Sequence, residues 1–250
     1  MGIIIKTPEE IALMREAGRI VASTLALLKT KIKPGISTAE LDSIAHDYCI
    51  KQGAIPSFKG YNGFPASICA SINDEVVHGI PSPTRKLREG DIISIDFGVI
   101  YQGLQGDAAI TVGVGSISPS AAKLINVTEQ ALYKGIEQAL AKKRLGNISW
   151  AIQSYVEAQG FSVVRQYVGH GIGRNMHEDP QIPNFGPPDR GPVLQPGMVL
   201  ALEPMVNVGT YRTRVKDDRW TVVTEDGSLS AHFEHTVAVT TGAPEILTKL

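Results

Sequence analysis

Four carboxylates stand where apolar strands ought to continue. Asp96 closes the run Ile92-Ile93-Ser94-Ile95, and Asp107 lies on the returning segment, close to opposite it across a hairpin. Glu203 follows Val199-Leu200-Ala201-Leu202, and Glu234 stands between Phe233 and a β-branched run. A lone carboxylate in such a setting is costly to bury. Two that lie close together repel, and one is driven to keep its proton unless a cation sits between them. An edge-strand or salt-bridged acid accounts for any one of the four, but poorly for all of them. A glycosidase pair would use two and leave the others unexplained. A divalent metal accounts for the set, because hard cations take oxygen ligands in number.

An imidazole belongs with them. His170 lies in Gly169-His170-Gly171-Ile172-Gly173, where glycines let the chain turn sharply and leave the ring uncovered. A nitrogen ligand moves the preference from Mg or Ca toward Mn, Fe, Co or Zn. A phosphate-cradling dinucleotide loop is the competing reading of these glycines. It fails because no helix pattern follows before Pro180. His78 and His177 have no metal-ligand spacing to a partner, and each alone reads as a surface or hydrogen-bonded structural histidine. His232 and His235 flank Glu234 and receive no role, and His46 reads as solvated or structural.

These residues need a scaffold to position them. Thr7-Pro8-Glu9-Glu10 is a helix start with an N-cap, a Pro at N1 and a Glu at N3. Ile11, Met14, Ala17, Val21, Leu25 and Leu28 then recur at helical spacing. Ser37 with Glu40 opens a second helix that stops at Gly53, and Ser118-Pro119 opens a third whose pattern reaches Leu145. A fourth runs from Asn147 to Gly160. Strands are expected at 66–72, 91–100, 104–112, 162–168 and 198–204, with a hairpin of 220–224 and 229–240 around Asp226-Gly227. Six of the 15 prolines crowd into 180–196, which reads as a long loop and a candidate site rim.

The element order repeats. Gln52-Gly53 ends the second helix and Gln159-Gly160 ends the fourth, 107 positions later. At the same offset Gly90-Asp91-Ile92-Ile93-Ser94-Ile95-Asp96 matches Gly197-Met198-Val199-Leu200-Ala201-Leu202-Glu203, and both segments end in an acid. Internal duplication, with halves of 1–115 and 116–250, puts Asp96 and Glu203 near a common axis.

Composition narrows the function classes. The chain has 250 residues, 43% of them hydrophobic, with 24 Lys and Arg against 25 Asp and Glu and a formal net charge of −1. That is enough chain for one substantial core. The balance argues against nucleic acid or an acidic membrane surface as the main partner. Cys49 and Cys69 read as reduced cytosolic thiols rather than a staple. No apolar run approaches the ~20 residues needed to span a bilayer, and a cytoplasmic protein is expected.

Asp96, Asp107, His170, Glu203 and Glu234, taken in order with Gly169-His170-Gly171-Ile172-Gly173 and Leu202-Glu203-Pro204-Met205, closely resemble the type I methionine aminopeptidases of the M24 metallopeptidases. The resemblance runs from the first helix to the last strand. The short gap from His170 to Glu203 and the lack of an N-terminal extension are similar to the short bacterial or organellar form. It implies an α+β pita-bread fold in a single catalytic domain, 1–250, with two pseudo-symmetric halves and a curved antiparallel sheet covered by helices. It also implies two divalent metals, with Asp96 chelating one, Asp107 and Glu234 bridging both, and His170 and Glu203 completing the other.

The activity implied is removal of the N-terminal methionine from nascent polypeptides with a small second residue, by a metal-bridged hydroxide attacking the first peptide bond. Glu203 would shuttle the proton, His78 would contact the substrate backbone, and His177 would stabilise the oxyanion. Phe58, Tyr61, Phe64, Cys69, Met176 and Trp220 match the methionine pocket. The better-known bacterial pattern carries Cys, Tyr and Phe where this chain has Phe58, Phe64 and Met176. A monomer acting on nascent N-termini at the ribosome is expected. An Xaa-Pro aminopeptidase and a non-catalytic binding module of the same fold are the alternatives. The chain's own Met1-Gly2 meets the small-second-residue rule, so self-processing is expected.

Overall fold

The computed structural model describes residues 2–250, so the self-processing expectation at Met1 lies outside the described residues. Helix α1 is Pro8–Lys31, and its start is the capping box read from sequence: the Glu10 N–H donates to the Thr7 hydroxyl while Glu10 accepts from the Thr7 N–H. Helix α2, Thr38–Lys51, opens with the same device on Ser37 and Glu40. Helices α3, Pro119–Ile136, and α4, Gly146–Ala158, form the second pair.

A nine-stranded sheet carries both pairs on one face. Its main path is Ile55–Pro56, Ile92–Tyr101, Leu104–Gly113, Glu234–Ala238, Val199–Leu202, Gly169–Gly171 and Glu178–Ile182. Each of these neighbours pairs antiparallel. Helices α1 and α2 bury Ile20, Val21, Leu28 and Leu41 against Ile93, Ile95 and Phe97 of the sheet. Helices α3 and α4 bury Leu124, Ala131, Ile148 and Ile152 against Leu200, Leu202 and Val237. The architecture is α+β, with the sheet centre under both pairs. Among the described residues no helix is long and apolar enough to cross a membrane.

Three expectations are corrected. Helix α3 ends at Ile136 rather than near Leu145. The backbone beyond it is taken by the loop that follows the Glu178–Ile182 strand: Lys142 N–H donates to Leu194 O, Leu194 N–H to Lys143 O, and Leu145 N–H to Pro192 O. Ala139 and Leu145 still enter the same core, which explains the extended helical pattern. The 220–240 hairpin does not form. Val222–Thr224 pairs with Thr213–Val215 and Glu75–Val77, whereas Ser230–His232 pairs with Met205–Asn207. Asp226 diverts the chain by accepting from the Ser228 and Thr210 N–H groups. Finally, the proline-rich segment starts as a sheet strand up to Ile182 whose Gln181 lines a cavity beside His177, so the expected rim is limited to this start, and its remainder packs on the start of α4 through Asn147 and Asp189.

Candidate metal centre and peptide pocket

Asp96 and Asp107 face each other by register. Asp96 pairs with Ala109 and Asp107 with Gly98, a two-residue offset that leaves both side chains on one face of the hairpin. Beyond the effect of burial, the charge of Asp96 acts directly on the Asp107 carboxyl and raises it. Glu234 pairs with Ala109 from the other side, which brings a third acid to the same point. Glu203 follows the adjacent Val199–Leu202 strand, where its carbonyl accepts from Asn184 Nδ2 at 3.1 Å. His170 pairs with Ala201 of that strand, and its Nε2 is 3.4 Å from Glu203 Oε1. Ligand atoms of Asp107, His170 and Glu234 all lie within 4.8 Å of one another.

The electrostatics of this cluster favour a bound cation. Burial pushes Asp96 up to about 7. Burial and mutual repulsion push Asp107, Glu203 and Glu234 well above the carboxylate range. Asp96 Oδ1, Asp107 Oδ1 and Glu234 Oε1 are buried with no hydrogen-bond partner, a costly state unless something else neutralises them. His170 is held neutral, brought down to about 3 by burial and then by His177. Its Nδ1 lies 3.0 Å from the Gly171 carbonyl, which can only accept, so the proton sits there and the Nε2 lone pair is free. Oxygen anions in number beside a bare imidazole nitrogen fit divalent transition metals.

One cavity of about 190 Å³ contains the whole set. All five candidate ligands line it, together with His78, His177, Phe58, Tyr61, Phe64, Cys69, Met176 and Trp220. Phe64 meets Trp220 edge-on at 5.1 Å between ring centres, and Met176 and Cys69 are buried beside them. Thioether and aromatic neighbours of this kind suit a flexible apolar side chain. Burial and the nearby acids keep the Cys69 thiol protonated. His177 Nδ1 is 2.7 Å from the Tyr61 hydroxyl, and its ring lies 4.3 Å from that of His170. His78 stands edge-on to Tyr167 and Trp220 and is brought down to about 4 by burial and then by His177. A wider cavity of about 670 Å³ shares Tyr61, His170, Met176 and His177 with the first and leads outward past Arg174 and Gln181.

Sequence reasoning missed two residues here. Asn62 lines the inner cavity from a left-handed turn at φ 48, and Gly60-Tyr61-Asn62-Gly63 was the available signal. Gly98 lies opposite Asp107 at the crowded floor. A Cβ there would stand 3.0 Å from Met176 Cε and Phe58 Cε1 and 3.2 Å from Asp107 Oδ1.

The metallopeptidase family M24 pattern matches residues 12–241, and the chain belongs to that family. Its relatives point to one branch within it. The chain is 60% identical to methionine aminopeptidase of Clostridium acetobutylicum over 246 residues, 98% of both chains. It is 60% identical to methionine aminopeptidase 1 of Bacillus subtilis over 99% of this chain and all of that one. It superposes on the crystal structure of methionine aminopeptidase from Thermotoga maritima with a TM-score of 0.98, at 48% identity and full coverage of both chains. The Xaa-Pro dipeptidase of Bacillus anthracis shares the fold at a TM-score of 0.78 and 25% identity, but the match covers only 62% of that longer chain.

Proposed function

We propose that this chain removes the N-terminal methionine from polypeptides whose second residue is small, using two divalent ions drawn from Mn, Fe, Co or Zn. The observation that carries the reading is the single cavity in which five acid and imidazole ligands adjoin a wall of thioether, thiol and aromatic groups. Asp96, Asp107, His170, Glu203 and Glu234 would hold the metals. When bound, the metals supply polarisation of the first peptide carbonyl and a water acidic enough to ionise near neutral pH.

The protein's own groups do the rest. Phe58, Phe64, Cys69, Met176 and Trp220, with Tyr61 at the mouth, take the methionine side chain. Glu203, with a carboxyl raised by burial and by Asp96, accepts a proton and passes it to the leaving amine. Neutral His177 donates from Nε2 to the developing oxyanion only if Nδ1 accepts, and the Tyr61 hydroxyl donating across 2.7 Å provides that. His78 contacts the substrate backbone. One catalytic domain made of two duplicated halves accounts for the recurring helix pair and for acids 107 positions apart. The enzyme acts as a cytoplasmic monomer on nascent chains at the ribosome.

The test is release of free methionine from Met-Gly and Met-Leu peptides by metal-stripped protein, before and after addition of Mn, Co or Fe(II). Release from the first alone, and only with metal, supports the reading. No release with any metal, from folded protein, overturns it in favour of a non-catalytic module. Release without preference for methionine places the chain with broader aminopeptidases of the fold.

A further inference from the structure

The segment ahead of α1 does more than lead into the helix. Lys6 is almost fully buried, its N–H donating to Gly197 O at 2.8 Å and its side chain turned inward. Lys6 Nζ lies 2.5 Å from Glu178 Oε2, with both side chains 3% exposed, and also donates to Ile4 O at 3.1 Å. The other Glu178 oxygen accepts from the Asn175 N–H at 3.1 Å and so closes the turn that carries Met176 and His177. The space for this approach is reserved. A Cβ on Gly173 would lie 2.4 Å from Lys6 Cε and 2.8 Å from Glu178 Oε1. A buried ion pair is a poor source of stability compared with packed apolar groups, since desolvation offsets the attraction. What it does provide here is direction, because it ties the back of the turn to the 2–6 segment while His177 faces Tyr61 in front. The same segment sets Gly2 and Ile4 on the wall of the outer cavity.

We propose that Lys6 is a positioning residue for His177, acting through the buried Glu178 clasp. The catalytic consequence rests on the aminopeptidase reading, and the geometric one does not. In full-length, metal-loaded protein, Lys6→Met leaves Glu178 unpaired. The expected result is a loss of about tenfold to a hundredfold in kcat on a Met-Gly peptide. KM stays within about twofold, as expected for an interaction made mainly in the transition state. The His177 imidazole nitrogen resonances shift as the Tyr61 contact is lost. The double variant Lys6→Met/Glu178→Gln removes the unpaired charge and keeps the Asn175 bond. It is expected to regain thermal stability but neither kcat nor the wild-type His177 resonances. The proposal is overturned if folded Lys6→Met keeps both, or if the double variant restores both along with stability. Should the wild type release no methionine, the aminopeptidase reading fails, while the His177 resonances in the same samples still decide the clasp.

Discussion

Asp107 and Thr236 hold each other reciprocally. The Asp107 N–H donates to Thr236 Oγ1 at 3.0 Å, and that hydroxyl donates back to the Asp107 carbonyl at 2.8 Å. The two residues are 129 positions apart and join the Leu104–Gly113 and Glu234–Ala238 strands at the point where those strands present Asp107 and Glu234. One buried hydroxyl therefore sets the spacing of two acids that repel. Thr236→Val keeps the shape and removes both bonds. Leaving the Asp107 N–H unsatisfied should cost ~1–3 kcal/mol. Metal affinity should fall by about 10–100-fold, as for other groups that orient a ligand. Calorimetric unfolding and metal titration check the two figures.

Removing a ligand should be harsher. Asp107→Ala or Glu234→Ala is expected to abolish methionine release and metal retention together. Metal analysis of dialysed protein beside a peptide assay is the check. Full activity in either variant contradicts a dinuclear centre.

The raised acids make the metal-free protein sensitive to pH. Asp96 titrates at about 7 in the fold and near ~3.9 in the unfolded chain. Across that window the folded state holds the extra proton, so stability falls as pH rises and levels off above the folded value. Chelated protein should therefore melt several degrees lower at pH 7 than at pH 5, relative to Asp96→Asn measured alongside. Added Mn or Co should reverse the loss most strongly at the higher pH. A flat difference between the two proteins would rule this account out.

Gly98→Ala tests the cavity floor. The new methyl meets the flexible Met176 tip, the edge of the Phe58 ring and one carboxylate oxygen at 3.0–3.2 Å, so the neighbours yield by a few tenths of an ångström and the methionine pocket narrows. Overpacking of this kind costs about 1–3 kcal/mol. KM for Met-Gly peptides should rise several-fold with the fold retained, as read from kinetics and circular dichroism.

The thiols should be inert. Cys49 is pushed up to about 12 by burial, and Cys69 is raised well above the usual thiol range by burial and then by the acids beside it. Native protein should show no reaction with Ellman's reagent at pH 8, whereas unfolded protein should titrate two thiols. Rapid labelling of Cys69 in the folded protein would contradict its buried, anionic surroundings.

Local signals carried much of this molecule. Both capping boxes, the α1 stripe and the Asp96–Asp107 offset are set within one helix or one hairpin, and sequence shows such neighbours directly. The four acids were legible because an acid in an apolar run violates its own context, and His170 because glycines leave its ring uncovered. Tertiary structure alone decided which strands pair. It separated Val222–Thr224 from Ser230–His232, cut α3 at Ile136 and turned the proline-rich segment onto α4, because in each case a distant backbone supplied the hydrogen bonds. The Lys6–Glu178 clasp, the Asp107–Thr236 bond and the crowding at Gly98 were invisible for the same reason. Each is made by ordinary residue types whose meaning lies in a partner far along the chain, and only packing brings that partner within reach.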